Sequence, residues 1–109
     1  MGSSYGREDR IARKVDFWKD RTRRKRFETR HFILMLRKND KDTTRLGLVV
    51  GRKAGGAVAR NRVKRLIREF FRLNKERIPE SSDLIVLAKE DIVIKGYREV
   101  FEELKVILY

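Results

Sequence analysis

The chain has 109 residues, enough for one small domain with a modest hydrophobic core. Its 29 Lys and Arg residues outnumber its 16 Asp and Glu residues, so the formal net charge is +13, and such an excess indicates a polyanionic partner, either nucleic acid or an anionic membrane surface. The absence of cysteine excludes disulfides and thiolate metal sites, and a hydrophobic content of 40% excludes a disordered basic tail.

No stretch of the sequence predicts a membrane segment or an export signal. No apolar run approaches the roughly 18 residues that a membrane span needs, and the first ten residues lack the apolar core of a signal peptide. Together with the absence of cysteine, this predicts a cytoplasmic protein. Binding to a membrane surface would need an amphipathic helix with its aromatic side free for lipid. The central helix has that outline, but Phe70 and Phe71 are needed for the core, so no membrane partner is expected. We expect residues 1–109 to form a single nucleic-acid-binding domain, with residues 1–9 frayed or vector-derived.

The first basic segment, residues 7–30, contains a predicted short helix. Ile11, Val15, Phe17 and Trp18 recur at roughly helical spacing, and the pattern ends near residue 23. Two roles are open for Phe17 and Trp18. Packing of the helix onto the core is the simpler interpretation for either residue alone, and stacking on an unpaired base beside the arginines is the other.

Residues 27–36 and 46–50 are predicted strands. In the first strand, side chains alternate in direction, so that two sets of apolar residues face opposite ways: Phe32, Leu34 and Leu36 on one face, Ile33 and Met35 on the other. A strand that is apolar on both faces is either buried on both sides or half exposed for binding. Residues 38–44 are rich in turn-forming residues, so the two strands are expected to form an antiparallel hairpin.

Residues 52–75 begin with a glycine-bearing turn and continue as a helix with two chemically different faces. The apolar face consists of Val63, Leu66, Ile67, Phe70 and Leu73. The opposite face consists of Asn61, Lys64, Arg65, Arg68 and Arg72, with Arg60 and Arg62 on its borders. Only two acids, Glu69 and Glu76, lie between residues 52 and 77. An ordinary solvated face carries charges of both signs, so this imbalance favours phosphate as an external countercharge.

The C-terminal third contains one more strand and one more helix. Residues 84–88 form an apolar strand, and residues 97–108 form an amphipathic helix whose apolar side consists of Val100, Phe101, Leu104, Ile107 and Leu108. The element order is α-β-β-α-β-α, with room for a further short strand at residues 26–29. This order predicts an α+β fold with two layers.

The groups that protein-based catalysis needs are missing from the sequence. His31 is the only histidine, and it begins a strand with no nearby carboxylate pair, which favours a structural or surface role. Asp40, Asp42 and Asp83 are expected in turns, where Asp bonds the local backbone. The glycines of residues 47–56 form no Walker or Rossmann loop. We therefore expect no catalytic residue and no metal ligand on the chain.

Residues 45–69, RLGLVVGRKAGGAVARNRVKRLIRE, resemble the signature of the bacterial ribonuclease P protein subunit. The hallmark of that family is Arg-Asn-Arg followed by Lys-Arg on a helix, and here it matches Arg60, Asn61, Arg62, Lys64 and Arg65 without gaps. The order of the elements on either side also agrees. The likeness therefore covers most of the chain, from about residue 13 to residue 108.

The resemblance implies a function in tRNA processing. In this family the catalytic RNA subunit performs a Mg²⁺-dependent hydrolysis that releases the 5′ leader from precursor tRNA, and the protein binds that RNA and the leader. Mg²⁺ would then be held by the RNA subunit and the substrate, and the protein is expected to be monomeric without RNA. Two alternatives stay open, a general RNA-binding module of the ribosomal type and an engineered variant of the family fold with impaired activity.

The resemblance also implies roles for individual residues. Contacts with the catalytic RNA and the leader are implied for Arg52, Lys53, Arg60, Asn61, Arg62, Lys64, Arg65 and Arg68. A cleft for the single-stranded leader, between the first helix and the exposed sheet face, would be lined by Phe17, Arg21, Ile33 and Met35. Arg21 and Met35 replace aromatic residues that are common in the family, which shifts leader binding toward backbone electrostatics.

The family fold is a two-layer α-β sandwich with a small mixed sheet. It has an unusual left-handed β-α-β crossover through the arginine-rich helix, against the strong right-handed default. In the turn before that helix, Gly56 replaces the usual asparagine, so a side chain that could cap the helix is lost.

Overall fold

The computed structural model describes residues 24–109. Four strands and two α-helices follow in the order β1 (Arg24–Glu28), β2 (Phe32–Lys38), β3 (Arg45–Val49), α1 (Ala57–Asn74), β4 (Ser82–Ala88) and α2 (Tyr97–Leu104). Single 3-10 turns occur at Arg52–Ala54, Lys75–Arg77 and Lys105–Ile107. The helix predicted within residues 7–23 lies outside the described residues.

The four strands form one mixed sheet in the spatial order β1-β2-β4-β3. The pairs β1–β2 and β2–β4 are antiparallel, whereas β3 and β4 run parallel. Parallel neighbours need a crossover connection, and here that connection contains α1. The predicted mixed α+β fold is confirmed, and so is the short additional strand before β2. The handedness of the crossover stays a prediction from the resemblance.

The predicted hairpin between residues 27–36 and 46–50 is wrong, because β4 lies between β2 and β3. The physical reason is the composition of β4. Leu84, Ile85 and Val86 are at most 1% exposed, so consecutive side chains on both faces of this strand need cover. A central position gives β4 a hydrogen-bonded neighbour on each edge and packing on each face. Adjacency in the sequence favoured the hairpin, but the burial of β4 decided the order.

One face of the sheet builds the core with the two helices. Its side chains stand opposite one another in register, with Leu34 across from Val86 and Leu36 across from Leu84, and Leu46 adds the third strand of this layer. All five side chains are at most 8% exposed. The alternation predicted for residues 32–36 is therefore confirmed on this face.

Helix α1 starts after a sharp turn and buries one side against the sheet. Gly55 has φ +154°, and a Cβ there would lie 3.2 Å from the Cβ of Ala59, so a side chain would be strained. Gly56 is the N-cap residue and makes no side-chain capping bond. The buried residues of the helix are Val63, Leu66, Ile67, Phe70 and Phe71.

The prediction that Leu73 belongs to the apolar face is wrong. Leu73 is 51% exposed, whereas Phe71 is fully buried beside Phe70, as expected for two residues that the core needs. At about 100° per residue, the two residues lie on opposite borders of the stripe centred on Phe70. The neighbouring structure decides which border is covered, and periodicity alone cannot.

Helix α2 packs across α1 through aromatic contacts. Phe101 lies with its ring centroid 5.9 Å from that of Phe70 and 6.2 Å from that of Tyr97, and Asn74 Nδ2 donates a hydrogen bond of 3.0 Å to the Tyr97 hydroxyl. The helix predicted for residues 97–108 is shorter than expected. It ends at Leu104, and the chain continues through the 3-10 turn at Lys105–Ile107.

Candidate nucleic-acid interface

The outward face of α1 carries most of the residues that the sequence predicts as RNA contacts. Because the opposite side of the helix is buried against the sheet, the polar stripe is held facing solvent. The exposed members are Asn61, Arg62, Arg65 and Arg68, whereas Arg60 and Lys64 are half-buried on the border of the stripe. The structure thus brings the predicted helical residues together on one surface, which we call the α1 cationic face.

Residues 24–109 supply almost no countercharge to the α1 cationic face. Within residues 24–109, no carboxylate forms an ion pair with Arg62, Arg65 or Arg68. The nearest case on the helix is Arg72, whose Nη2 lies 3.9 Å from a carboxylate oxygen of Glu69, and an exposed pair at that distance contributes little. The repulsion between the arginines is therefore not relieved within the part of the chain that the structure describes.

Arg60 differs from the other arginines on this face. Its Nε atom is buried and has no hydrogen-bond partner in residues 24–109. The side chain is thus held against the domain rather than freely solvated, and part of its contribution is packing of its aliphatic stem.

Arg52 and Lys53 lie at the same end of the protein as the N-terminus of α1, in the 3-10 turn that precedes the helix. Ala54 in this turn is buried, and its carbonyl accepts a hydrogen bond of 2.9 Å from Ile92 N. Both cations are exposed, and Lys53 has only a distant ion pair of 3.9 Å with Glu90. The turn is therefore fixed by its backbone while its charged side chains remain accessible.

The second face of the sheet holds the part of the predicted leader cleft that the structure describes. Ile33 and Met35 of β2 are partly exposed there, and in register with them lie Leu87 and Ile85 of β4. Phe17 and Arg21, the predicted opposite wall, lie outside the described residues.

One end of this second face carries a buried ionic cluster that the sequence analysis missed. Asp83 is fully buried in β4, and the prediction that it lies in a turn is wrong. Its carboxylate accepts hydrogen bonds of 2.9 Å from Arg37 Nη2, 2.8 Å from Arg45 Nε, 2.7 Å from Arg45 Nη2 and 2.8 Å from Asn39 Nδ2. Burial alone raises the pKa of Asp83, but these four bonds outweigh it and the pKa lies below its usual value.

A sequence signal for this cluster does exist. Arg37 follows Ile33 and Met35 at a spacing of two residues, which puts all three on one face of β2. Asp83 directly precedes the apolar run of β4 and can reach the same face. The pairing depends on the position of β4 between β2 and β3, which no local pattern in the sequence gives.

The other end of the sheet is closed by Glu103 of α2, which explains the single histidine. Glu103 accepts hydrogen bonds of 2.6 Å from the Thr29 hydroxyl and 2.8 Å from the His31 backbone N–H, and its second oxygen lies 2.6 Å from His31 Nδ1. Burial raises the pKa of Glu103, but the bonds from Thr29 and His31 outweigh it, so the pKa is lowered. His31 thus ties α2 to the sheet, in agreement with the structural role favoured by the sequence.

Neither a metal centre nor a membrane segment is found in the described part of the chain. No group of three or more His, Asp or Glu residues within residues 24–109 is arranged to hold a metal ion. No helix among these residues is long and apolar enough to span a bilayer.

The fold and the surface together define a structural class: a small basic α+β protein whose longest helix presents a cationic face to solvent. Comparison with known proteins then gives the family. The sequence model of the ribonuclease P family matches residues 5–109. The ribonuclease P protein component of Syntrophus aciditrophicus is 43% identical over 102 residues, which are 94% of this chain and 86% of the relative. That of Thermotoga maritima is 38% identical over 92 residues, which cover 84% and 79% of the two chains.

Solved structures agree with the sequence comparison. The ribonuclease P protein from Thermotoga maritima superposes with a TM-score of 0.76 at 35% identity, over 91% of this chain and 94% of that one. The protein from Staphylococcus aureus gives a TM-score of 0.77 at 31% identity, over 91% of each chain. The chain therefore belongs to the ribonuclease P family, as a protein subunit of the endoribonuclease that matures the 5′ ends of tRNA. Its partner in that assembly is the RNA subunit.

Proposed function

We propose that the α1 cationic face, together with Arg52 and Lys53, is the surface that binds the RNA subunit. The observation that carries this proposal is the lack of internal countercharge on Arg62, Arg65 and Arg68 within residues 24–109. Phosphates of a folded RNA would supply the missing charge, and the guanidinium group presents a planar set of donors to them. Asn61, Arg60 and Lys64 complete the surface.

We propose further that the second face of the sheet binds the 5′ leader of precursor tRNA. Ile33 and Met35 offer partly exposed apolar surface there, suited to unstacked bases of a single strand. Phe17 and Arg21 are assigned to the same cleft by the family resemblance, which is all that supports their role. On this proposal the protein contributes position and charge, and bond cleavage belongs to the RNA subunit.

The proposed location of Mg²⁺ follows from this division of roles between the protein and the RNA subunit. The described residues offer no carboxylate or histidine cluster that fits a metal ion, and we therefore propose that the RNA subunit and the substrate hold it. We also propose that the protein acts in the cytoplasm and is monomeric until RNA binds, which the absence of cysteine and the net charge of +13 support.

Reconstitution tests the proposed function. The chain is added to a bacterial ribonuclease P RNA at low Mg²⁺, and cleavage of precursor tRNA is measured against RNA alone. We expect the wild-type chain and the control Arg98→Ala, which removes an exposed charge from α2, to stimulate cleavage equally, and Arg65→Ala to stimulate it less. Equal affinity of the chain for the ribonuclease P RNA and for an unrelated structured RNA would instead favour the general RNA-binding module.

The leader cleft has its own test. Phe17→Ala is expected to weaken binding of precursor tRNA more than binding of mature tRNA, because only the precursor has a leader to contact the cleft. An identical loss of affinity for both RNAs would contradict the cleft assignment.

A further inference from the structure

A groove on the protein lies at the start of β4, beyond the C-terminal end of α1. Its volume is about 580 Å³, and it is lined by Lys25, Leu36, Lys38, Glu80, Ser82 and Tyr109. We call it the C-terminal groove.

The C-terminal groove and Arg60 lie near opposite ends of α1. Helix α1 connects the end of β3 to the start of β4, two parallel neighbours, and the groove is at the start of β4, where Ser82 pairs with Lys38. From Arg60 to Asn74 at its C-terminal end, the helix rises about 21 Å. A single nucleotide therefore cannot contact both Arg60 and this groove, and a ligand here would be a separate contact.

Tyr109 gives this groove an exposed ring on a fixed backbone. The residue is 70% exposed, yet its N–H donates a hydrogen bond of 3.0 Å to the carbonyl of Arg77. In return, Arg77 Nε donates a bond of 3.1 Å to the backbone oxygen of Tyr109. A ring that is presented in this way loses little conformational entropy when a flat ligand stacks on it.

The charged side chains of the groove are arranged for a ligand with two different ends. Lys25 and Lys38 are exposed, and neither pairs with a carboxylate within residues 24–109. Glu80 is the single acid of the lining. Ammonium groups attract phosphate, whereas a carboxylate repels phosphate and accepts hydrogen bonds from N–H donors such as those of a base.

The wall on the Glu80 side is preformed. The Thr44 hydroxyl donates a hydrogen bond of 2.7 Å to the carbonyl of Pro79, and the buried Ser82 hydroxyl donates one of 3.1 Å to the carbonyl of Glu80. The loop that carries Glu80 is therefore held at both ends before any ligand arrives.

We propose that the C-terminal groove binds an unpaired nucleotide of the RNA subunit, with the base stacked on Tyr109 and its phosphate on Lys25 and Lys38. Of the possible occupants, RNA fits best, because a stacking ring, two lysines and one N–H acceptor match the base and phosphate of one nucleotide. The proposal deepens the proposed function and rests on it. It adds a second contact with the same RNA, far from the Arg60 end of α1.

The test uses the full chain and a bacterial ribonuclease P RNA, with affinities measured over a range of salt concentrations. Tyr109→Ala is expected to weaken binding at least about fivefold through the loss of one stacked base, whereas the control Tyr109→Phe keeps the ring and should bind like wild type. The double variant Lys25→Ala and Lys38→Ala should lower the salt slope by about two, one for each lost phosphate contact.

Photocrosslinking shows whether the contact is direct. With RNA that contains 4-thiouridine, the tryptic peptide that contains Tyr109 should carry a crosslinked nucleotide, and Tyr109→Ala should abolish that crosslink even if it also changed stability. Wild-type affinity of Tyr109→Ala, or the absence of this crosslink, would overturn the groove proposal. Because Arg65→Ala is measured beside it, unchanged binding of that variant would instead count against the α1 cationic face.

Discussion

At the scale of single residues, two arginines of the same helix face are held in different ways. Arg65 is exposed and has no ion pair within residues 24–109, so its contribution to the folded state is small. Arg60 is half-buried and its Nε atom is shielded from solvent. Substitution of the two should therefore have different consequences for stability, although both are predicted RNA contacts.

Arg65→Ala is expected to weaken RNA binding roughly threefold to tenfold at low salt and to reduce the salt slope by about one, since one phosphate contact is lost. Its melting temperature should match that of wild type. Arg60→Ala should show the same loss of affinity together with a lower melting temperature, because packed side-chain surface is removed as well. An unchanged salt slope for Arg65→Ala would contradict its role as a phosphate contact.

Asp83 is the buried charge on which two arginines depend. Asp83→Asn is expected to lower the free energy of unfolding by about 3–5 kcal/mol, because the buried carboxylate that accepts bonds from Arg37 and Arg45 would lose its charge. Asp42→Asn is the matched control, since Asp42 is exposed in the loop after β2, and it should change stability by less than about 0.5 kcal/mol. Urea denaturation measures both, and equal effects would contradict the assigned role of the cluster.

Acid pH should destabilise the fold through the buried or partly buried carboxylates of Asp83 and Glu103. The pKa values of Asp83 and Glu103 are lowered in the folded state, so each contributes stability that is fully present above its unfolded pKa, about 4. That stability is lost as the pH falls through the lower folded pKa. We expect the melting temperature of wild type to fall below about pH 4, and Glu103→Gln to show a smaller fall because its titrating group is gone.

At the scale of elements, α1 separates two tasks on opposite sides. Phe70 and Phe71 are fully buried and attach the helix to the sheet and to α2, while Arg62, Arg65 and Arg68 on the other side have no ion pair within residues 24–109. On the proposed function, the helix needs no rearrangement before RNA binding. Its stability comes from the buried side, since the N-cap Gly56 makes no capping bond.

Substitution of Phe71 and of Leu73 tests which border of the apolar stripe of α1 is buried in the core. Phe71→Ala should lower the free energy of unfolding by about 3–5 kcal/mol, the range for a large buried aromatic side chain. Leu73→Ala should cost less than about 1 kcal/mol, because half of that side chain is already exposed. A larger cost for Leu73→Ala than for Phe71→Ala, measured by denaturant unfolding, would contradict this assignment of the buried border.

At the scale of the whole molecule, the strand order determines where the functional surfaces lie. With β4 between β2 and β3, the connection from β3 to β4 must pass over one sheet face, and α1 lies there. The other face keeps Ile33 and Met35 partly exposed. A β2–β3 hairpin would have placed different neighbours beside both residues.

Engineered disulfides test this strand order, and the natural absence of cysteine makes the experiment clean. Ile33→Cys with Leu87→Cys joins directly paired positions of β2 and β4, within the Cα distance that a disulfide needs. Ile33→Cys with Val49→Cys spans two strand spacings, about 9.5 Å, which is too far. Oxidation followed by non-reducing electrophoresis and mass spectrometry should detect a disulfide only in the first variant. A bond in the second alone would restore the hairpin.

The sequence by itself was sufficient for the types of the elements within residues 24–109, for the family and for the polarity of α1. The buried residues Val63, Leu66, Ile67 and Phe70 follow from the period of the helix, and the charge excess with Arg60-Asn61-Arg62 pointed to an RNA partner. These inferences succeed because the period of a helix or strand is a local property of the backbone, and a gapless motif is local as well.

Only the tertiary structure decided the rest. It placed β4 between β2 and β3, left Leu73 half exposed, and brought Asp83 to Arg37 and Arg45 across 46 and 38 residues of sequence. The C-terminal groove likewise joins β1, β4 and the last residue of the chain. Contacts of this kind depend on which arrangement buries the most apolar surface and satisfies the most buried polar groups at once, and that sum over the whole chain cannot be read from any one segment.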